Sequence, residues 1–203
     1  MLDRDDLLLA VMRADGDGVK GRTRLQKIAY LVVQMLRKKG VQAESESEFE
    51  PHYYGPYNSS LTAAVQAQVS RGLVQESLEN HLSAGFPGHD FEVQRYVYAL
   101  TDKGRVAAKW RRDQKPEEFD SAMEAAQKVV ATKADLQVLS WAAKLHLVVK
   151  QEGRQTTLQA ARERARALGW SLSQEQLQKA LDVLVRLRLI KAVGRSPGDP
   201  APR

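Results

Sequence analysis

The chain has 203 residues, 43% of them hydrophobic and 28% charged, the balance of an ordinary globular protein rather than a disordered one. It has no cysteine, which excludes disulfides, thiolate nucleophiles and cysteine-based zinc sites. The net charge of +6 is uneven: residues 144–203 carry 12 Lys+Arg against 5 Asp+Glu, and the rest 19 against 20. A basic C-terminal third points to an acidic partner, of which nucleic acid is the commonest. No run of 18 apolar residues marks a membrane span. The opening "MLDRDDLLLAVM" is too acidic for a signal peptide. The expected location is cytoplasmic, with no membrane partner.

In chain order, residues 3–14 read as a helix with stripe Leu7, Leu8 and Val11 and with Asp3 as cap. "ADGDGVKG" (14–21) reads as a loop, placing Lys20, Arg22 and Arg24 near a helix start, where phosphate is favoured. Helix 22–39 follows, carrying Leu25, Ile28, Ala29, Val32, Met35 and Leu36. Arg37-Lys38-Lys39-Gly40 reads as its C-terminal signal. Glu44, Glu46, Glu48 and Glu50 read as an exposed acidic loop that would repel DNA.

"FEPHYYGPYNSSL" (49–61) concentrates His52, Tyr53, Tyr54 and Tyr57 around Gly55-Pro56. The turn leads into helix 58–71, for which Asn58, Ser59 and Ser60 are candidate caps. The aromatic cluster is expected to cement the turn against helix 22–39, so that Tyr54→Ala would cost about 3 kcal/mol. The alternatives are a phosphate or peptide contact through His52 or Tyr57, and a small-molecule cage. Residues 73–80 and 91–101 read as strands around the loop 81–90, a β-hairpin, with Phe91, Val93, Arg95, Val97 and Ala99 sharing one side. Thr101-Asp102 would cap a helix through Arg112.

"DQKPEEFDS" (113–121) reads as a polar break and 117–131 as a connecting helix. Helices are then expected at 133–150, from Thr156 or Thr157 to Leu168, and at 174–188 with Ser173 as cap. "LIKAV" (189–193) reads as a short strand, and 195–203 as a disordered tail. The expectation is a mainly α protein with a β-hairpin wing. It comprises an N-terminal winged helix (1–112), a connecting segment (113–132) and a smaller C-terminal domain of helix-turn-helix type (133–194).

Leu25, Gln26, Lys27 and Tyr30, followed by Tyr54, Gly55, Pro56 and Tyr57, form a pattern that resembles the YwgA-like winged-helix proteins. It is also similar to the Panacea (SocA-like) antitoxin domain. The resemblance covers residues 20–112. It implies non-enzymatic work: DNA binding, toxin neutralisation, or a part in mobile-element or phage-defence biology.

The chemistry agrees with a non-enzyme. The chain has no G-x-S-x-G, no P-loop and no H-E-x-x-H, and no metal or cofactor is expected. His81 and His89 share the wing loop but lack companion ligands. The candidate DNA-binding residues are Lys20, Arg22, Arg24 and Lys27, then Ser59, Thr62, Gln66 and Ser70 on helix 58–71, where Gln66 could bond an adenine edge. Arg95 on the wing and Arg162, Arg164 and Arg166 complete the set. Helix 174–188 carries more apolar surface than one core needs, so Leu177, Val183 and Leu187 are expected to make a homodimer or inter-domain contact. The reading is a protein that binds double-stranded DNA, a regulator or antitoxin-like protein. The alternative is a tandem winged-helix adaptor that binds protein partners in a chromosome-organising, mobile-element or phage-defence complex; the protein partner would be a toxin or a complex subunit.

Overall fold

A computed structural model describes residues 1–83, 91–153 and 156–191, and the side chains of all of these except 81–83 and 91–94. The described residues form eight α-helices and a three-stranded antiparallel sheet of order β1-β3-β2. The mainly helical class with a small hairpin is as the sequence suggests.

Helix α1 (Arg4–Ala14) starts where the Asp3 side chain accepts from the Asp6 amide at 2.8 Å. Leu7 through Met12 are all buried, so this helix is enclosed on every side. Strand β1 (Gly18–Lys20) lies where a loop was expected and pairs with β3. Glycine is required at 18, because a Cβ there would sit 2.5 Å from the Tyr98 carbonyl oxygen. Helix α2 (Arg22–Lys38) is the second central helix, buried from Leu25 through Leu36. The acidic stretch tightens into a short 3-10 turn, Glu44–Ser47.

Helix α3 (Ser59–Ser70) is capped by Asn58, whose side chain accepts from the Leu61 amide at 3.0 Å. Strands β2 (Val74–Ser83) and β3 (Phe91–Leu100) form the hairpin. The buried side of β3 is Tyr98 and Leu100, opposite to Arg95, Val97 and Ala99. Helix α4 (Asp102–Gln114) is capped by Thr101.

Only Lys115 separates α4 from α5 (Pro116–Ala131), with proline at its first turn. The expected connecting helix therefore exists, but it also walls the core. Phe119, Ala122, Ala125, Ala126 and Val129 are buried, and α5 packs on α1 and α2. Helices α6 (Leu136–Glu152), α7 (Leu158–Ala167) and α8 (Gln174–Arg186) complete the fold. Helix α6 packs on α2 and α8, so one apolar cluster runs from Leu2 to Leu187.

The strand expected at 189–193 does not form over 189–191. The amides of Leu189 and Ile190 instead bond back to the Leu184 carbonyl, at 2.8 and 3.4 Å, and close α8. Residues 192–193, His89 with the rest of 84–90, and the expected tail lie outside the described residues.

Candidate nucleic-acid interface

The Leu-Gln-Lys run and the Tyr-Gly-Pro turn form one clasp. The Gln26 side chain donates to the Asn58 carbonyl at 2.9 Å and accepts from the Asn58 amide at 3.0 Å, matching a backbone ladder. It also donates to the Thr62 hydroxyl at 3.1 Å. Lys27, one of the expected phosphate contacts, is only 1% exposed, and its Nζ donates to the Pro56 carbonyl at 2.7 Å. It cannot reach DNA. Burial, and then the charge of Lys144, lower its pKa to about 7. Tyr30 bonds His146 Nδ1 at 2.9 Å, and both are buried. Burial, reinforced by Lys150, Arg37 and Lys38, lowers the His146 pKa to about 4.

The turn is not an apolar plug. Tyr57 is half-buried and its hydroxyl meets that of Thr62 at 3.1 Å. Tyr53 and Tyr54, however, are 73% and 59% exposed. The expectation that Tyr54 anchors the fold is therefore corrected: the clasp is built from polar groups beneath, and the rings point outward.

The cations expected to hold phosphate around α2 are already engaged. Lys20 and Arg95 meet Glu79 at 3.7 and 3.0 Å. Arg22 lies 3.7 Å from Glu76, donates to the Tyr98 hydroxyl at 2.9 Å and stacks on Tyr96 at 3.5 Å. Arg24 grips Asp15 with two contacts of 3.2 Å. Sequence reading missed the pairings of Lys20, Arg22 and Arg95 because strand β2 supplies Glu76 and Glu79.

On α3, Ser59, Gln66 and Ser70 are exposed and Thr62 is half-buried. Gln66 already donates to Glu76 at 3.0 Å, and Ser70 bonds back to the Gln66 carbonyl at 3.0 Å. A groove of about 520 Å³ beside α3 is lined by Asp3, Asp5 and Glu44 against the single cation Arg4, as well as by Ala63 and Ala67. This acidic flank suits DNA poorly. On α7, Arg162 donates to the Leu172 carbonyl at 3.0 Å, Arg164 lies 3.6 Å from Glu152, and Arg166 is exposed.

The expected partner surface on α8 is also corrected. Leu177, Val183 and Leu187 are 0%, 7% and 5% exposed within the single chain. Packing on α6, together with the returning residues Leu189 and Ile190, covers most of the apolar arc and leaves Val185 39% exposed. Those side chains cannot also form a homodimer interface.

A basic surface appears where the sequence reading saw only a helix stop. Arg37, Lys38 and Lys39 fan out from the end of α2. Lys38 Nζ donates to the Arg188 carbonyl just past α8. Arg186 reaches the Thr132 carbonyl at 3.4 Å. Lys150 is close enough to Arg37 that burial and that charge lower its pKa. Two carboxylates enter the group. Glu46 pairs with Arg37 at 3.0 Å, and Glu124 pairs with Lys39 and Lys128, each at 2.6 Å. Those two lysines hold the Glu124 carboxyl down at about 2. Lys38, Lys150, Arg186 and Arg188 form no ion pair among the described residues. The signal was present in the sequence, as the Arg37-Lys38-Lys39 run and Arg186-x-Arg188. Both runs sit at helix ends, where cations are ordinary.

No His, Asp or Glu cluster suited to a metal occurs among the described residues. No described helix is long and apolar enough to cross a membrane. Comparison with protein-family models and with curated proteins found no match for this chain.

Proposed function

We propose that this protein is a non-enzymatic binder of double-stranded DNA, and that its phosphate contacts come from the basic surface at the ends of α2 and α8. The observation that carries this reading is that Lys38 at the end of α2 reaches the Arg188 carbonyl just past α8, with Arg37, Lys39 and Lys150 nearby, and that Lys38, Lys150, Arg186 and Arg188 have no carboxylate partner among the described residues. Cations left without carboxylates are free to replace counterions on DNA. We read α1 to α4 with the hairpin as a winged helix, in which β1 closes the sheet against β3. The resemblance to antitoxin-type winged helices makes a regulator or antitoxin role the natural biological setting. The adaptor reading loses one of its supports, because Leu177, Val183 and Leu187 of α8 are spent within the chain.

Contacts of this kind carry charge but little sequence information. The expected behaviour is weak binding with little sequence preference. Logarithmic affinity should fall against logarithmic salt by about 0.9 per phosphate contact. Fluorescence anisotropy with a labelled duplex at several salt concentrations measures this. Lys38→Glu with Arg188→Glu should weaken binding at least tenfold and reduce the slope by about 2. Lys20→Glu with Arg22→Glu should do less, since both cations already face Glu79 and Glu76. Absence of binding at low salt, or an affinity indifferent to salt, would overturn the reading.

A further inference from the structure

The turn at 52–57 is rigid from below and aromatic above. Hydrogen bonds pin it and its flanks. Gln26 holds Asn58 through two of them and Lys27 holds Pro56. The Gly55 amide donates to the His52 carbonyl at 2.8 Å, and the Trp170 indole donates to the same carbonyl at 2.9 Å. Burying a lysine is a costly way to secure a turn, and the residues so secured are not core. Tyr53 and Tyr54 stand mostly in solvent, 5.0 Å apart with rings at 89°. At that angle an edge meets a face, so the two rings do not cover each other by stacking. His52 is exposed beside them, 6.4 Å from Tyr54.

Two large rings carried on a pinned backbone turn and left mostly in solvent make a contact surface. The charge around them identifies what they contact. Lys144 flanks Gly55, where a Cβ would lie 3.1 Å from its Cγ, and its amine sits 5.5 Å over the Trp170 ring. No carboxylate pairs with it among the described residues, and burial lowers its pKa. The acids near the turn are Glu50, hydrogen-bonded through its backbone to Tyr57 at its foot, and Glu48, whose carboxylate accepts from the Asn58 side chain at 3.2 Å and is paired with Arg4. A ligand that offers flat rings at one end and anionic groups at the other meets both features. Single-stranded nucleic acid has that chemistry, because every base presents a π-face and every linkage a phosphate.

We infer that Tyr53 and Tyr54 form a stacking platform for unpaired nucleobases, with Lys144 placed for the neighbouring phosphate. This extends the nucleic-acid reading above to a second surface. Duplex DNA, whose bases are already stacked, would not use it.

The test compares a labelled strand of about 15 thymidines with an abasic strand of the same length and charge. The wild type should bind the thymidine strand roughly tenfold more tightly or better, the gain that stacking of one or two bases gives. Tyr53→Ala with Tyr54→Ala should bring the two strands level, with an unchanged melting temperature and unchanged affinity for blunt duplex. Lys38→Glu with Arg188→Glu should weaken duplex binding and leave the ratio of the two strands intact. Equal wild-type affinity for both strands would overturn the inference without touching the duplex reading. So would a base preference that survives loss of both rings. Absence of duplex binding with a retained base preference would overturn only the duplex reading. If a proline-rich probe peptide binds these rings and the thymidine strand does not, the platform belongs to a protein partner and the inference fails.

Discussion

Position 27 holds a lysine off the apolar stripe of α2 yet fully buried, because α2 is enclosed on every side, and its amine is the underside of the Gly55-Pro56 turn. Its pKa of about 7 in the fold compares with roughly 10.4 for an unperturbed lysine. Between those values the unfolded chain binds more protons than the native one, so stability rises as pH increases from about 7 towards 10. Below 7 the cost of burying the charge is felt in full. Lys27→Met removes this group. Across that window wild type should gain on the order of a few kcal/mol relative to the variant, as measured by urea unfolding at stepped pH. The neighbouring turn makes a second prediction. Tyr54→Ala should alter stability by less than about 1 kcal/mol, because the ring is exposed. Gly55→Ala should cost about 1–3 kcal/mol, since φ is 97° and the new Cβ would press on Lys144. Thermal melts of the two single variants would separate them. Sequence alone located the cluster but inverted its roles. Ring count suggested burial, whereas the polar pair Gln26 and Lys27 carries the turn.

Most helices were legible because periodicity and caps agree. Asp3, Asn58, Thr101 and Ser173 cap their helices as expected, the last within a full capping box with Gln176. The elements missed are short or ambiguous. Strand β1 has three residues, too few to show alternation, and is defined by its partner Tyr98 rather than by its own pattern. Leu189 and Ile190 read as strand because they are β-formers after a helix, but their amides are used in closing α8. "DQKPEEFDS" looked like a break because proline and acids cluster there. These same residues begin a helix well, with Pro116 at N1 and Glu117 and Glu118 in the first turn. Helix α8 tests the packing argument. Val183→Glu with Leu187→Lys places two charges among buried neighbours. The double variant should fail to fold or melt far below wild type. Circular dichroism would show this, and a variant that folds with a normal melt would mean that the arc is not covered as described.

On the scale of the whole molecule, charge was legible in amount but not in address. The expected cations at Lys20, Arg22, Arg24 and Arg95 are answered by Glu76, Glu79 and Asp15. The cations at the ends of α2 and α8, remote in sequence, find each other instead. A linear charge count cannot distinguish these cases, since pairing depends on which elements the fold makes adjacent. The same holds for the core. Helix α1 packs against α3, α4 and α5, and is stapled to the start of α5 by Asp6, which Lys115 and Arg111 meet at 2.8 and 3.0 Å. A fragment ending at residue 112 lacks Lys115 and the Phe119–Val129 face. It should be unfolded or aggregation-prone by circular dichroism and light scattering, whereas a fragment ending after Ala131 regains that cover. The enclosure of α1 also has a temporal side. Leu7 to Met12 leave the ribosome well ahead of α5, yet their cover is completed only when α5 follows. At 5–20 residues per second, that interval is roughly 6–24 s of exposed apolar helix. During translation, then, α1 is a natural client for a holding chaperone, and slowing synthesis between α1 and α5 would lengthen its exposure rather than help it fold.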